Sequence, residues 1–440
     1  MKLRKIQLSK DQVFDRQLLN RANDTTFAEI EKQAADIINK VRERGDMAVL
    51  GYTLRFDGVD LSTLRVTKSE IEAAYEKVDT GLVQSLRSCA DRIRAFHKHQ
   101  VQQSWSIEAR EGVVLGQQLN PIERVGIYVP GGRADYPSTV LMNVIPAQVA
   151  GVAQIAVVVP PAPDNTAAMD GVIAASTLVA CDILGISEVY KCGGAQAIAA
   201  LAYGTESISA VDKITGPGNA FVAAAKKLVQ GTVGIDMIAG PSEILIIADQ
   251  SANPRYIAID LMAQAEHDPL AACYLVTSDS TLPDRVEKEI AQLLLQSPRA
   301  EITRQSLENY GLAVVVDTSE QAVDVSNSIA PEHLEIMTKD PQALLPMVKN
   351  AGAIFLGAWT PESVGDYSAG PNHTLPTQGT ARFSSPLRVD DFQKVSSVIS
   401  YTPNALLAEV SEITALADAE GLWAHGAAVS MRVNDLERKD

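Results

Sequence analysis

The chain has 440 residues, 46% hydrophobic, 21% charged and only 5% aromatic, which predicts a globular protein with an aliphatic, alanine-rich core. At about 150 residues per domain this length predicts about three domains, with cores large enough to need no disulfide staples. Its 38 Lys+Arg against 54 Asp+Glu give a net charge of −16, which leaves no basic face for a nucleic-acid backbone.

The charge is uneven. Residues 1–104 hold 18 Lys+Arg against 15 Asp+Glu, and the remaining 336 hold 20 against 39, so a domain boundary is expected near residue 104. The opening Met-Lys-Leu-Arg-Lys-Ile-Gln has no apolar stretch behind its basic residues, which predicts no secretory signal. The N-terminal region reads as helical. Thr26 can cap a helix carrying Ile30, Ala34, Ile37, Ile38 and Val41 on one face, with Gly45 as its stop. A second helical block starts near Lys68 and a third ends at His97-Lys98-His99, where both histidines read as solvated surface.

After Trp105 the period changes. Val113–Leu119 and Arg124–Val129 read as strands, Pro130-Gly131-Gly132 as a turn, and Ser138 as the cap of a helix to about Ala150. The span Tyr136–Pro163 has no charge over 28 residues, but its prolines and amides predict a buried helix and strand, not a membrane span. A helix over Ala168–Leu184, a strand over Glu188–Lys191, a helix after Gly193-Gly194, a strand at Lys213–Thr215 and a helix over Ala220–Val229 follow. This alternation predicts βαβ units and a parallel sheet. A second run starts at Ile235: strand Glu243–Ala248, helix Pro254 to Glu266, strand Cys273–Ser278, helix Leu282–Leu295, strands at Leu312–Val316 and Ala353–Leu356. From Gln393 a mostly helical tail is expected.

Several polar groups can carry chemistry. Gln264 and His267, at i and i+3 late in a helix, share a face and offer oxygen and nitrogen to a divalent metal. Glu332-His333 after Ala330-Pro331 suits acid–base work, or is a plain surface turn. Ser363–Thr374 reads as a glycine-punctuated loop in which Asp366 could ligate metal and His373 touch substrate, or make ordinary turn and cap contacts. Gly216-Pro217-Gly218-Asn219 at a helix start can receive a phosphate, but no G-x-G-x-x-G occurs. The four widely spaced cysteines, with no C-x-x-C, predict reduced thiols in a cytoplasmic protein.

In order along the chain, these stretches resemble the histidinol dehydrogenases, enzymes of histidine biosynthesis. The resemblance rests on Ile235-Asp236-Met237-Ile238-Ala239-Gly240-Pro241-Ser242-Glu243 through Gln264-Ala265-Glu266-His267, on Tyr128-Val129-Pro130-Gly131-Gly132, and on Gly193-Gly194-Ala195-Gln196-Ala197. Pro331-Glu332-His333-Leu334-Glu335, Asp366–His373 and Glu420-Gly421-Leu422 before His425 complete it, so that it covers essentially the whole chain. It implies two incomplete Rossmann-like parallel-sheet domains, at 105–234 for NAD and 235–392 for metal and catalysis, with a helical N-terminal region (1–104) and a short helical tail (393–440) swapped in a homodimer. It implies oxidation of L-histidinol to L-histidine through L-histidinal with two NAD. The implied zinc ligands are Gln264, His267, Asp366 and His425, the last from the partner subunit, which makes the active site intersubunit. The implied acid–base pair is Glu332 and His333. Ser242, His373 and Glu420, together with His333 and the zinc ligands, are the implied substrate contacts, and Tyr128, Gln196 and Asn219 the implied NAD contacts.

Two departures stand out. Ile259 occupies a position where the family usually has a small residue, and Val395 one where it often has a second basic residue. Related enzymes acting on other small alcohols, such as sulfonated diols, would share the metal and NAD residues; His373 and Glu420 suit an imidazole and an ammonium and favour histidinol. A thiol-dependent aldehyde dehydrogenase would need a reactive cysteine, whereas Cys181, Cys192 and Cys273 read as structural. A binding protein on a dead scaffold would not need the acid–base pair and metal positions intact.

Overall fold

The computed structural model describes residues 2–10, 12–19, 24–131, 135–162 and 173–437. Gly132 of the expected turn, Pro163 at the end of the uncharged span, Ala168 at the expected helix start and the side chain of Thr26 lie outside what is described. In chain order the strands are β1 (Arg4–Gln7), β2 (Trp105–Arg110), β3 (Val113–Pro121), β4 (Arg124–Tyr128), β5 (Gln154–Val159), β6 (Glu188–Lys191), β7 (Lys213–Thr215), β8 (Gly234–Ile235), β9 (Glu243–Ala248), β10 (Ala272–Thr277), β11 (Gly311–Val315), β12 (His333–Met337), β13 (Ala353–Leu356) and β14 (Gln393–Tyr401).

Two compact units result. The larger comprises Met1–Gln100 with Ile122–Phe392, the smaller Val101–Pro121 with Gln393–Asp440. The larger unit holds two wholly parallel sheets, ordered β6-β5-β4-β7-β8 and β1-β11-β10-β9-β12-β13. Parallel neighbours need crossover helices, which cover both faces and leave strands such as Glu243–Ala248 buried throughout. The blocks β4–helix Pro137–Ala150–β5 and β9–helix Pro254–Ala265–β10 have the same order of elements. Aliphatic and alanine side chains fill the cores on either side of each sheet, as the scarcity of aromatics requires.

The first hundred residues do not stand apart. Their helices Asp24–Arg44 and Asp46–Asp57 pack on the first sheet, and β1 joins the edge of the second beside β11. That strand was missed because charges flank its few apolar residues, a pattern typical of edge strands. His97 is also not solvated. It is fully buried on the helix Thr80–Lys98, with Nδ1 2.8 Å from the Ile93 carbonyl and Nε2 3.5 Å from Asn372. Among the described residues no helix is long and apolar enough to cross a membrane, and the helix Pro137–Ala150 is buried in the larger unit.

The smaller unit is antiparallel, in the order β14-β3-β2, followed by the helices Pro403–Ala419 and Trp423–Glu437. Residues 105–121 therefore leave the domain expected for 105–234. The tail begins with nine strand residues, whose polar and β-branched pattern was obscured because β3 lies far away in sequence. Val395 is exposed on β14, and Ile259 is exposed on its helix, so neither departure strains packing.

Candidate active site

The first sheet changes winding direction between β4 and β7, the crevice where parallel α/β sheets receive ligands at the carboxyl ends of their strands. Tyr128 ends β4, Gln196 lies in the first turn of the helix Gly194–Tyr203 after β6, and Asn219 caps the helix Ala220–Val229 after β7. The Tyr128 hydroxyl accepts from the Gly194 N–H at 3.1 Å, and burial holds its pKa above the usual phenol range. Gln196 is buried with Oε1 lacking a partner, and Asn219 Oδ1 accepts from the Phe221 and Val222 N–H groups. Gly216 has φ 113°, and a Cβ there would fall 2.0 Å from the Tyr128 carbonyl oxygen, so only glycine allows this approach. A buried ion pair clamps the loop: Lys226 donates to Asp236 and to the Gly216 carbonyl, while the Gly216 N–H donates to Asp236.

The second sheet carries its polar groups at the opposite edge. Ser242 and Glu243 open β9, Glu332 and His333 open β12, and Gln264 and His267 precede β10. Only the seven residues Asp236–Ser242 join the carboxyl end of β8 to the amino end of β9, a span of at most about 25 Å. That link is pinned by the Gly240 N–H donating to Thr377 Oγ1 and the Gly379 N–H donating to Glu243 Oε1.

Ala330 ends the helix Ser319–Ile329 in the left-handed region at φ 55°, which turns Pro331 and Glu332 into the strand start. The pair is buried, not a surface turn. Glu332 Oε2 accepts from the Glu243 N–H at 2.9 Å, and Ser242 donates to the same carboxylate. Burial drives the Glu332 pKa well above the ordinary carboxyl range. His333 Nδ1 lies 3.2 Å from the Glu243 carbonyl, which can only accept, so Nδ1 carries the proton and Nε2 is the free base. Burial lowers the imidazole to about 4, keeping it neutral near pH 7. Asp366, His267 and His373 all act on it electrostatically, so they share its surroundings.

Gln264 sits in the last turn of its helix, buried, with Oε1 unpartnered, and His267 is exposed just beyond the helix end. Asp366 lies on a short helix, Glu362–Tyr367, where a loop was expected. His373 Nδ1 is 3.8 Å from Asp366 Oδ1, and Asn372, anchored on Met142 O and beside His97, fixes that segment. A cavity of about 430 Å³ lies over His333, Phe355, Asp366 and His373. His267, Asp366 and Glu362 bring potential ligand atoms within 4.8 Å of one another. Glu362 was not foreseen, although its i, i+4 spacing to Asp366 puts both on one helix face. Glu420 and His425 belong to the smaller unit, at the end of the helix Pro403–Ala419 and the start of Trp423–Glu437, both exposed. Cys181, Cys192 and Cys273 are buried and burial raises their thiols, Cys181 to about 12, which disfavours a thiolate nucleophile.

Parallel sheets with a switch-point crevice, a buried Glu332–His333 pair and a cluster of metal-type donors are the build of an α/β enzyme acting on small molecules. The sequence profile of histidinol dehydrogenase matches residues 20–433. The chain is 52% identical to the histidinol dehydrogenase of Halalkalibacterium halodurans, over 95% of this chain and 97% of that one. It is 50% identical to that of Bacillus subtilis, over 95% and 96%. The crystal structure of the Elizabethkingia anophelis histidinol dehydrogenase superposes with a TM-score of 0.88 at 36% identity, covering 99% of both chains. The chain belongs to the histidinol dehydrogenase family.

Proposed function

We propose that this protein oxidises L-histidinol to L-histidine by way of L-histidinal, with two NAD as acceptors, zinc in the site and a homodimeric, cytoplasmic assembly. The observation that carries the reading is His333, neutral and with Nε2 free, fixed beside Glu332 and the Gln264–His267–Asp366 donors. A divalent cation fits those donors, since it would satisfy the orphaned Gln264 Oε1 and join the neighbouring His267 and Asp366 ligand atoms. The fourth ligand is the partner subunit's His425. Bound zinc would supply a template that grips the amine and imidazole of the substrate. The nicotinamide, held by Tyr128, Gln196 and Asn219, would accept hydride.

The residues then divide the work. His333 Nε2 takes the hydroxyl proton as the carbinol hydride leaves. Glu332 removes a proton from a water that adds to the aldehyde, and the hydrate gives up the second hydride. Adjacent positions at one strand start let one substrate pose serve both steps. Ser242 fixes the Glu332 carboxylate, while His373 and the partner subunit's Glu420 contact the imidazole and ammonium. The smaller unit exposes Trp105, Ile107, Val398, Ile399, Leu416 and Trp423, an apolar surface that supports the dimer. The four free cysteines fit a reducing compartment.

Oxidation of a sulfonated diol is not favoured, given relatives at about 50% identity that carry the histidinol dehydrogenase name. The test is NADH formation with histidinol and with a sulfonated diol, before and after chelation. Two NADH per histidinol, lost on chelation and restored by zinc, are expected; turnover of the diol alone would overturn the reading.

A further inference from the structure

Glu362 is the buried charge of the site that no step above uses. It begins the helix Glu362–Tyr367, and its backbone N–H donates to Glu335 Oε1 at 2.8 Å, which fixes the start of the helix against β12. Its side chain is 4% exposed. One oxygen, Oε1, lies 3.7 Å from His333 Nε2, and the other, Oε2, is buried with no hydrogen-bond partner. A ligand-type atom of this carboxylate comes within 4.8 Å of those of His267 and Asp366. The charged groups that weigh most on it are Asp366, Glu332, Glu335 and Asp260, every one a carboxylate.

A buried carboxyl group among four others, with an oxygen left orphaned, either holds its proton or is charged with a cation beside it. A second orphaned oxygen, Gln264 Oε1, belongs to the residue whose backbone carbonyl accepts from the His267 N–H. One divalent ion between Gln264, His267, Asp366 and Glu362 satisfies both orphaned oxygens and balances the two acidic side chains with its own two charges. Oxygen and imidazole donors of this kind suit zinc. His267 is exposed, so the ion has a route in from solvent.

We infer that Glu362 is a further residue of the metal site, giving a single chain four donor residues of its own. The inference rests on the zinc reading above. It gives Glu362 a role distinct from that of the partner subunit's His425: it holds metal in each chain before the second copy and the substrate's own donors take their places on it. With its other oxygen toward His333, it also ties the position of the base to metal occupancy.

The test is zinc affinity, measured by competition with a chromogenic chelator on the metal-stripped full chain and on its Glu362→Gln, Glu362→Asp and Asp366→Asn variants. Cobalt(II) absorption spectra of the same proteins report the ligand field without reference to activity. Glu362→Gln keeps the shape of the side chain and removes its charge. It should weaken zinc binding by at least about 10-fold, the lower end of the loss caused even by residues that only support the ligands, and change the cobalt spectrum. Glu362→Asp, a methylene shorter, should weaken binding to a smaller degree and covers the case in which the glutamine variant fails to fold. Affinity within twofold of the unmodified chain and an unchanged cobalt spectrum for the Glu362 variants, with Asp366→Asn impaired, would overturn the role of Glu362 and leave the zinc reading standing. No zinc binding by the unmodified chain would overturn both.

Discussion

The two parallel sheets of the larger unit use opposite edges. In β6-β5-β4-β7-β8 the polar positions Tyr128, Gln196 and Asn219 follow the carboxyl ends of strands around the change of winding, where parallel sheets place ligands by construction. In β1-β11-β10-β9-β12-β13 the corresponding change lies between β9 and β12, yet Ser242, Glu332 and His333 stand at the amino ends of those strands. The short Asp236–Ser242 link runs from the carboxyl edge of one sheet to the amino edge of the other. The same architecture therefore offers two edges, a proposed cofactor edge set by topology and a proposed chemical edge set by side chains, and each can be perturbed separately.

The largest effect is expected at the amino edge. His333→Asn removes the free Nε2 base and should lower kcat by about 10²–10⁴-fold with NAD binding unchanged in fluorescence titration; a parallel loss of NAD binding would erase the distinction between edges. Next comes the clamp on Gly216. Asp236→Asn leaves Lys226 buried without its counter-charge, which should cost about 3–5 kcal/mol in urea denaturation. It should also raise the KM for NAD with kcat at saturation retained; an unchanged KM would reduce the clamp to a purely structural element.

Behind β12, Asp260 shares a hydrogen bond with Glu335, and burial raises its pKa to about 6. A carboxyl that binds its proton more tightly when folded favours folding at low pH, and that contribution is lost as pH rises from about 4 through 6. Asp260→Asn should therefore raise the Tm of the metal-free protein at pH 8 by roughly 2–4 °C, with the gain shrinking toward pH 4.5 in differential scanning calorimetry. The smallest effect is at Ala330, held at φ 55°. Ala330→Gly removes a left-handed penalty of about 1 kcal/mol and should slow thermal unfolding slightly without changing kcat.

The difference between the edges also explains what the sequence revealed. Hydrophobic runs bounded by glycine and proline located β4, β9 and β10 within a residue or so, because a buried parallel strand has little choice of composition. The NAD contacts came from the family resemblance, and the switch-point edge on which they stand followed from topology. The chemical edge did not: Glu332-His333 looks like a turn until pairing with β9 buries it, and His97 looks solvated until Asn372 packs on it. Glu362 escaped because its partners, Glu335 and His267, come from other elements. The strand β14 was taken for helix because β3 lies on the far side of both parallel sheets in sequence.

The division of work between His333 and Glu332 is the centre of the account, and single-turnover NADH yield from histidinol tests it most directly. The unmodified protein should give two NADH per histidinol, and Glu332→Gln should form the first near the normal rate, with the second slowed and histidinal accumulating. Equal slowing of both oxidations would contradict it.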